Sequence, residues 1–345
     1  MGKVFLYVSR PTFYAASVPT HSRVPKSHGP RLLTGYTWNG YEFLFLENEV
    51  LRVAINVGRG THIPEFTYKP KDLDILFKHP RAVKHPTAFI PSAYDERAYQ
   101  EHHVGGWFEC FPLGGPPDDL SGARLGFHGE VWGQPFEITA HEEDAEHCAV
   151  TLTGYTHRTP FKLVKTFSLK RGEAALRIDE KVTNLGEQDL RVHWGQHPTL
   201  GAPFLDAACH VECSATAWFD SEEQPPLRRK WPAEKDGRDL AQVGSKADRR
   251  TKFMYLTDFA QGLARVVSPT WKLAFEIEWD ATRFPYLWFF ENNGALNAPW
   301  FGRAHMLALE PFTGMSNALQ EGHGLLNIPA GQTVDVSFKG RLVDL

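Results

Sequence analysis

Apolar and polar residues alternate with a period of two over most of this chain, and that pattern limits it to a fold built from half-buried β-strands. Trp271, Leu273, Phe275, Ile277 and Trp279 fall on one face of an extended segment, with Lys272, Glu276 and Glu278 on the other. Phe161, Leu163, Phe167 and Leu169 share a face in the same way. Arg171-Gly172-Glu173 then turns the chain into a segment at 174–182, and Asn184-Leu185-Gly186 separates that from 189–194. The C-terminus repeats the arrangement, with Ala330-Gly331 turning into 333–342. Short turns between alternating segments define an antiparallel meander. Helical periodicity is scarce, with short helices expected only at 93–103 and 234–243. The chain lacks alternating strands and long helices, which argues against a doubly wound α/β fold. The expectation is one all-β domain over 1–345, a large antiparallel sandwich. Residues 11–30 would form an extended arm on its surface, and the charged stretch 220–250 a long surface excursion.

Composition narrows the function. The 345 residues carry a net charge of -4 with no dense run of Lys or Arg. An electrostatic grip on nucleic acid is therefore not expected. No apolar run approaches the roughly 20 residues that span a bilayer, and the N-terminal stretch does not read as a signal peptide. Cys110, Cys148, Cys209 and Cys213 are scattered and read as small buried residues in a reducing cytoplasm. The ten Trp, ten Tyr and 24 Phe exceed what a core alone requires, which suits a site that stacks on the apolar faces of sugars.

Six segments look too polar and irregular to be simple turns. They are Gly58-Arg59-Gly60-Thr61-His62, the run 101–112 that includes His102, His103, Trp107 and Glu109, Phe127-His128-Gly129-Glu130, the run 193–204 with His193 and His197, the run 287–294 with Trp288, and 308–314 with Glu310. Glu310 follows an apolar run and precedes Pro311, a setting where a carboxylate is costly unless paired, for instance with Arg303, or functional. One carboxylate, several imidazoles and several Trp equip a site for proton transfer on a polyol. Metal ligation is not expected: residues four apart on a strand, such as His193 and His197, lie about 13 Å apart. No phosphate-binding glycine loop or nucleophile elbow is present.

At Phe127-His128-Gly129, Gly195-Gln196-His197-Pro198 and Leu309-Glu310-Pro311 the chain resembles the galactose mutarotase-like superfamily, the aldose 1-epimerases and their relatives. The likeness covers roughly residues 44–342 and is closest to an uncharacterised bacterial branch with a Trp-Phe-Glu-Cys-Phe-Pro segment, here 107–112. The resemblance implies a β-supersandwich with an open cleft and no cofactor. It implies Glu310 as general base, His197 as general acid and His128 as a sugar contact. The superfamily's Asn-Arg pair is missing upstream of His128. Arg59 and Arg303 are then candidates for its cationic role, which would suit an anionic or modified sugar. Trp107, Glu109, Glu130 and Trp288 complete the expected substrate-binding set. The expected activity is epimerisation at an anomeric carbon of a small carbohydrate, by a monomer or homodimer. A sugar-acid isomerase or lyase, drawing on His102, His103 and Glu130, and a non-catalytic carbohydrate-binding protein are the alternatives.

Overall fold

The computed structural model describes residues 29–86, 98–102, 104–235 and 237–345. Two large sheets dominate it. In the first, the strands Arg31–Trp38, Tyr41–Glu47, Leu51–Asn56 and His62–Tyr68 lead to Trp107–Cys110. From there the order runs through Gly195–Gly201, His305–Phe312, Tyr286–Asn293, Thr251–Thr257 and Ala217–Asp220. The second sheet has eight strands, with Thr333–Asp344 between Leu273–Trp279 and Ala175–Asn184. Every strand pairing in both sheets is antiparallel. The expected all-β sandwich is the observed class. Among the described residues no helix is long and apolar enough to cross a membrane.

The alternation read from sequence corresponds to real faces. Phe161, Leu163, Phe167 and Leu169 are each at most 2% exposed and pack into the core between the sheets. Phe275 meets both Phe66 and Trp107 edge to face, joining the two sheets. Burying such side chains contributes about 1.5–3 kcal/mol each.

Two expectations on helices differ from what is found. Residues 234–243 hold a small hairpin, Glu234–Lys235 against Arg238–Asp239. Gly237 takes φ +72 there, a conformation that turns the chain and does not continue a helix. Of residues 93–103, Ala98–His102 is helical, while 93–97 and 103 lie outside the described residues. The arm expected at 11–30 also lies outside them, apart from 29 and 30.

The outer face of the first sheet is the one that matters for function. It carries a second apolar cluster of Tyr99, Phe108, Cys110, Tyr255, Trp288, Phe312 and Met315. Loops and the short Ala98–His102 helix cover this face, so both faces of the central strands are buried. All seven residues of Gly195–Gly201 are buried.

Candidate active site

Strand register assembles the site. Gly195 pairs with Phe312 and Thr199 with Ala308 with no shift between them, so His197 stands opposite Glu310. Phe108 pairs with His197, Trp288 with Glu310, and Tyr255 with Trp288. Directly opposed residues of adjacent strands share a face. Phe108, His197, Glu310, Trp288 and Tyr255 therefore form one row across the outer face, drawn from five strands. A chain separation of 113 positions between His197 and Glu310 collapses to a cross-strand contact.

His197, Glu310 and Trp288 of this row line a cavity of about 410 Å³, together with Tyr99, Phe127, His128, Phe253, Trp300 and Ser316. That volume lies in the usual range for small-molecule sites, roughly 300–1,000 Å³. His197 Nε2 lies 3.3 Å from Glu310 Oε2, and that oxygen has no well-aligned hydrogen-bond partner. A base and an acid on either side of a sugar ring would stand a ring's width apart; these two groups touch instead, and a substrate must sit above both. The His197 ring stacks on Phe108 at 4.4 Å, and its Nδ1 lies 3.0 Å from Thr199 Oγ1. Trp288 stacks on Phe312 at 3.8 Å and donates from Nε1 to the Gly314 carbonyl at 2.8 Å. The indole is thus fixed on one face by a ring and at its edge by the backbone.

Burial sets the protonation. It pulls the His197 imidazole down to about 3 and pushes the Glu310 carboxyl well above its ordinary range. Both directions share one cause: a lone charge is disfavoured in this low-dielectric setting. The pair holds one proton between a neutral imidazole and a neutral carboxylic acid. That distribution is the reverse of the base and acid roles taken from the resemblance, but the stoichiometry is the same.

His128 shows why its motif reads His-Gly. His128 and Gly129 both adopt positive φ, +63 and +74, and a Cβ at Gly129 would lie 2.4 Å from the Phe111 carbonyl oxygen. The left-handed pair swings the imidazole against Tyr99, Phe127 and His197. Its Nδ1 accepts the Gly115 N–H at 3.1 Å, which leaves the ring proton on Nε2.

Other expected site residues are placed elsewhere. Trp107 and Glu109 alternate with Phe108 and Cys110, so their side chains point into the sandwich. Trp107 is 1% exposed and donates to Gln196 Oε1 at 2.8 Å. Glu109 pairs with the buried Lys165 and accepts from Trp194 Nε1 at 2.6 Å. Glu130 tethers a turn, accepting the backbone N–H groups of His157, Arg158 and Thr159. Arg303 is exposed, forms no bridge to Glu310 and does not line the cavity. Arg59 lies in a separate small recess behind Tyr99, its guanidinium 5.2 Å from the Trp132 ring. Trp288, His128, His197 and Glu310 are the expected residues brought together. Tyr99, Phe253, Trp300 and Ser316 were missed; Tyr99 sits on the short Ala98–His102 helix, Phe253 on a strand and the other two in loops, none with a distinguishing motif. His103 is outside the described residues. Among the described residues no three His, Cys, Asp or Glu side chains gather as metal ligands.

Gly195 carries a geometric demand. A Cβ there would lie 2.2 Å from Cδ1 of Phe312, the ring on which Trp288 rests. Gly195→Ala is expected to shift Phe312 and tilt Trp288. Ligand binding should weaken several-fold and the Trp fluorescence change, with the fold retained. An unchanged spectrum and affinity would show that the stack does not position the site.

His62 gives a pH test of burial. Its Nε2 contacts the Gly105 carbonyl oxygen at 2.6 Å, its Nδ1 has no partner, and burial pulls it down to about 3. A histidine lowered in the native state is neutral when folded and binds a proton on unfolding below its ordinary value of 6.5. Its contribution is complete above that value and is lost as the pH falls toward about 3. The slope is up to about 1.4 kcal/mol per pH unit. In urea titrations the stability gap between wild type and His62→Gln should narrow as pH falls from 7 to 4.5. Parallel curves would contradict a neutral buried His62.

The two sheets, their antiparallel order and the loop-covered cleft are those of the galactose mutarotase-like β-sandwich. A proposed aldose 1-epimerase from Klebsiella pneumoniae superimposes with a TM-score of 0.72 at 13% identity, over 91% of this chain and 83% of that one. A proposed aldose 1-epimerase from Escherichia coli gives 0.64 at 15%, over 89% and 100%. A galactose mutarotase-like protein from Clostridium acetobutylicum gives 0.65 at 13%, over 92% and 100%. At such identities the likeness establishes the fold. The chain belongs to the family described as a domain of unknown function, DUF4432, whose model matches residues 38–339. No curated protein matches its sequence.

Proposed function

We propose that this protein is an aldose 1-epimerase-like enzyme that interconverts the anomers of a neutral sugar. The observation that carries the reading is the His197–Glu310 contact in the cavity floor, with a buried carboxyl oxygen that no Lys or Arg among the described residues neutralises. Orphaning a carboxyl in this way costs stability, and a passive binding site has no use for it. No Lys or Arg is among the described residues lining this cavity, which favours a neutral sugar over a sugar acid.

The chemistry needs one group that accepts a proton and one that gives one. The unprotonated member of the pair takes the C1 hydroxyl proton while the protonated member delivers its proton to the ring oxygen. The C1–O bond to the ring oxygen breaks, the aldehyde forms, and the C1–C2 bond rotates. Closure on the other face returns both protons, so no cofactor or co-reactant is consumed. Trp288 and Phe253 offer apolar surface for a pyranose face, and His128 Nε2–H is a donor to a sugar hydroxyl.

Polarimetry tests this directly. A freshly dissolved anomer of glucose, galactose or another neutral aldose from a panel should equilibrate faster in proportion to enzyme concentration. Rates equal to the spontaneous one for every aldose would overturn the proposal.

A further inference from the structure

The turn between the strands Leu51–Asn56 and His62–Tyr68 carries Arg59. Gly60 takes φ +60, and a Cβ there would lie 2.6 Å from Trp132 Cα, so the turn sits tight against Trp132. The Arg59 guanidinium lies 5.2 Å from the Trp132 ring and borders a recess of about 10 Å³. His62, Tyr99 and Phe108 are among its other walls. Arg59 is only 7% exposed, yet among the described residues its side chain has no hydrogen bond and no ion pair. No Asp or Glu is among the described residues lining the recess. The groups whose charge acts on Arg59 are phenols, those of Tyr41 and Tyr99.

An arginine keeps its proton in any protein setting, so a full positive charge is buried here without a counter-charge. Such a charge is strongly destabilising unless compensated, and a single cation–π contact offsets only a part of the cost. Its field reaches the neighbours: after burial itself, the Arg59 charge is the next influence that lowers the pKa of both His62 and His102. The recess has room for about one water-sized body, too little for a phosphate, a carboxylate arm or a sugar. A water would meet the N–H groups but leave the charge unneutralised. A monatomic anion meets both, and a weakly hydrated guanidinium suits a weakly hydrated halide. We infer that the recess holds one halide ion, chloride in ordinary buffers, as the counter-ion of Arg59. Tyr99 lines both the recess and the acid/base cavity, so the ion sits behind a wall of that cavity and takes no part in proton transfer there.

Two measurements on the wild-type protein test this. In the first, thermal unfolding midpoints are read while sodium chloride replaces sodium methanesulfonate, whose anion is too large for the recess, at fixed ionic strength so that screening stays constant. The midpoint should rise by a few degrees, following the logarithm of the chloride concentration as for any ligand that binds only the folded state. Bromide should act in the same way. In the second, crystals soaked in sodium bromide should show an anomalous peak beside the Arg59 guanidinium. Arg59→Met, of similar length but uncharged, should abolish both the peak and the halide-dependent rise; should that variant fail to fold, the two wild-type measurements decide alone. A recess without bromide, a midpoint equal in chloride and methanesulfonate, or a rise that persists in Arg59→Met would overturn the site. A bromide peak without the rise in solution would be an adventitious ion only, and would overturn it as well.

Discussion

Glu310→Gln should lower kcat/KM for anomer exchange by about 10²–10⁴-fold, the span that one positioned acid/base group contributes. Glu310 is the one carboxylic acid among the described residues lining the cavity. Gln matches its size, so the stack of Trp288 on Phe312 and the His197 contact with Phe108 should persist. What is lost is the ability to cycle a proton. His197→Asn should produce a loss of the same order. The pair shares one proton across 3.3 Å, so the two groups act as a unit. The double variant should then be little worse than either single one. Binding should survive in all three, because the apolar walls and His128 are untouched. Stability is expected to stay close to wild type in Glu310→Gln, since the amide also avoids burying a charge.

Lys165→Met should destabilise the protein by about 3–5 kcal/mol, the loss typical of breaking a buried ion pair from one side. Lys165 is 2% exposed and bridges to Glu109, with Thr61 Oγ1 at 3.0 Å. Burial alone would lower its pKa, but the neighbouring Glu109 charge outweighs that and raises it. Burial first, then the neighbouring Glu109 charge, pushes Glu180 well above the ordinary carboxylate range, so Glu180 keeps its proton. Removing the ammonium leaves the buried Glu109 charge with no cation among the described residues. The network also serves the site. Glu180 accepts from Gln196 Nε2 at 2.9 Å, and Gln196 in turn accepts from Trp107. Gln196 is the residue before His197, so this inner network clamps the strand that presents the imidazole outside. Urea unfolding measures the loss. Replacing Lys165, Glu109 and Glu180 together by apolar residues of similar volume should recover much of it, because no charge is then left buried and unpaired. A Lys165→Met midpoint equal to wild type would contradict the network's role.

The strands were legible because alternation is a direct record of which face is buried. His197, His128 and Glu310 were legible through motifs, and the structure places all three on one cavity. What was not legible has physical causes. Alternation assigns faces only when one face is wet, and here loops cover the outer face of the first sheet. Trp-Phe-Glu-Cys therefore gave no sign that Phe108, and not Trp107 or Glu109, faces outward and packs against His197. Glu130 read as a site carboxylate because a polar residue in an irregular segment looks the same whether it tethers a turn or meets a ligand. Arg303 read as a partner for Glu310 from proximity in sequence, yet seven residues along an irregular segment and a strand carry it out of reach. Tyr99, on a short helix, and Trp300, in a loop, entered the site through the placement of connecting segments, which depends on contacts distant in the chain.

Exchange spectroscopy on one equilibrated sugar tests the central claim most directly. With both anomers present, wild-type protein should produce exchange cross-peaks between the two C1 protons, growing with enzyme concentration. Glu310→Gln, shown by calorimetry to bind the same sugar, should produce none above the spontaneous rate. Cross-peaks of equal intensity with wild type and Glu310→Gln would contradict the assignment of the chemistry to this pair.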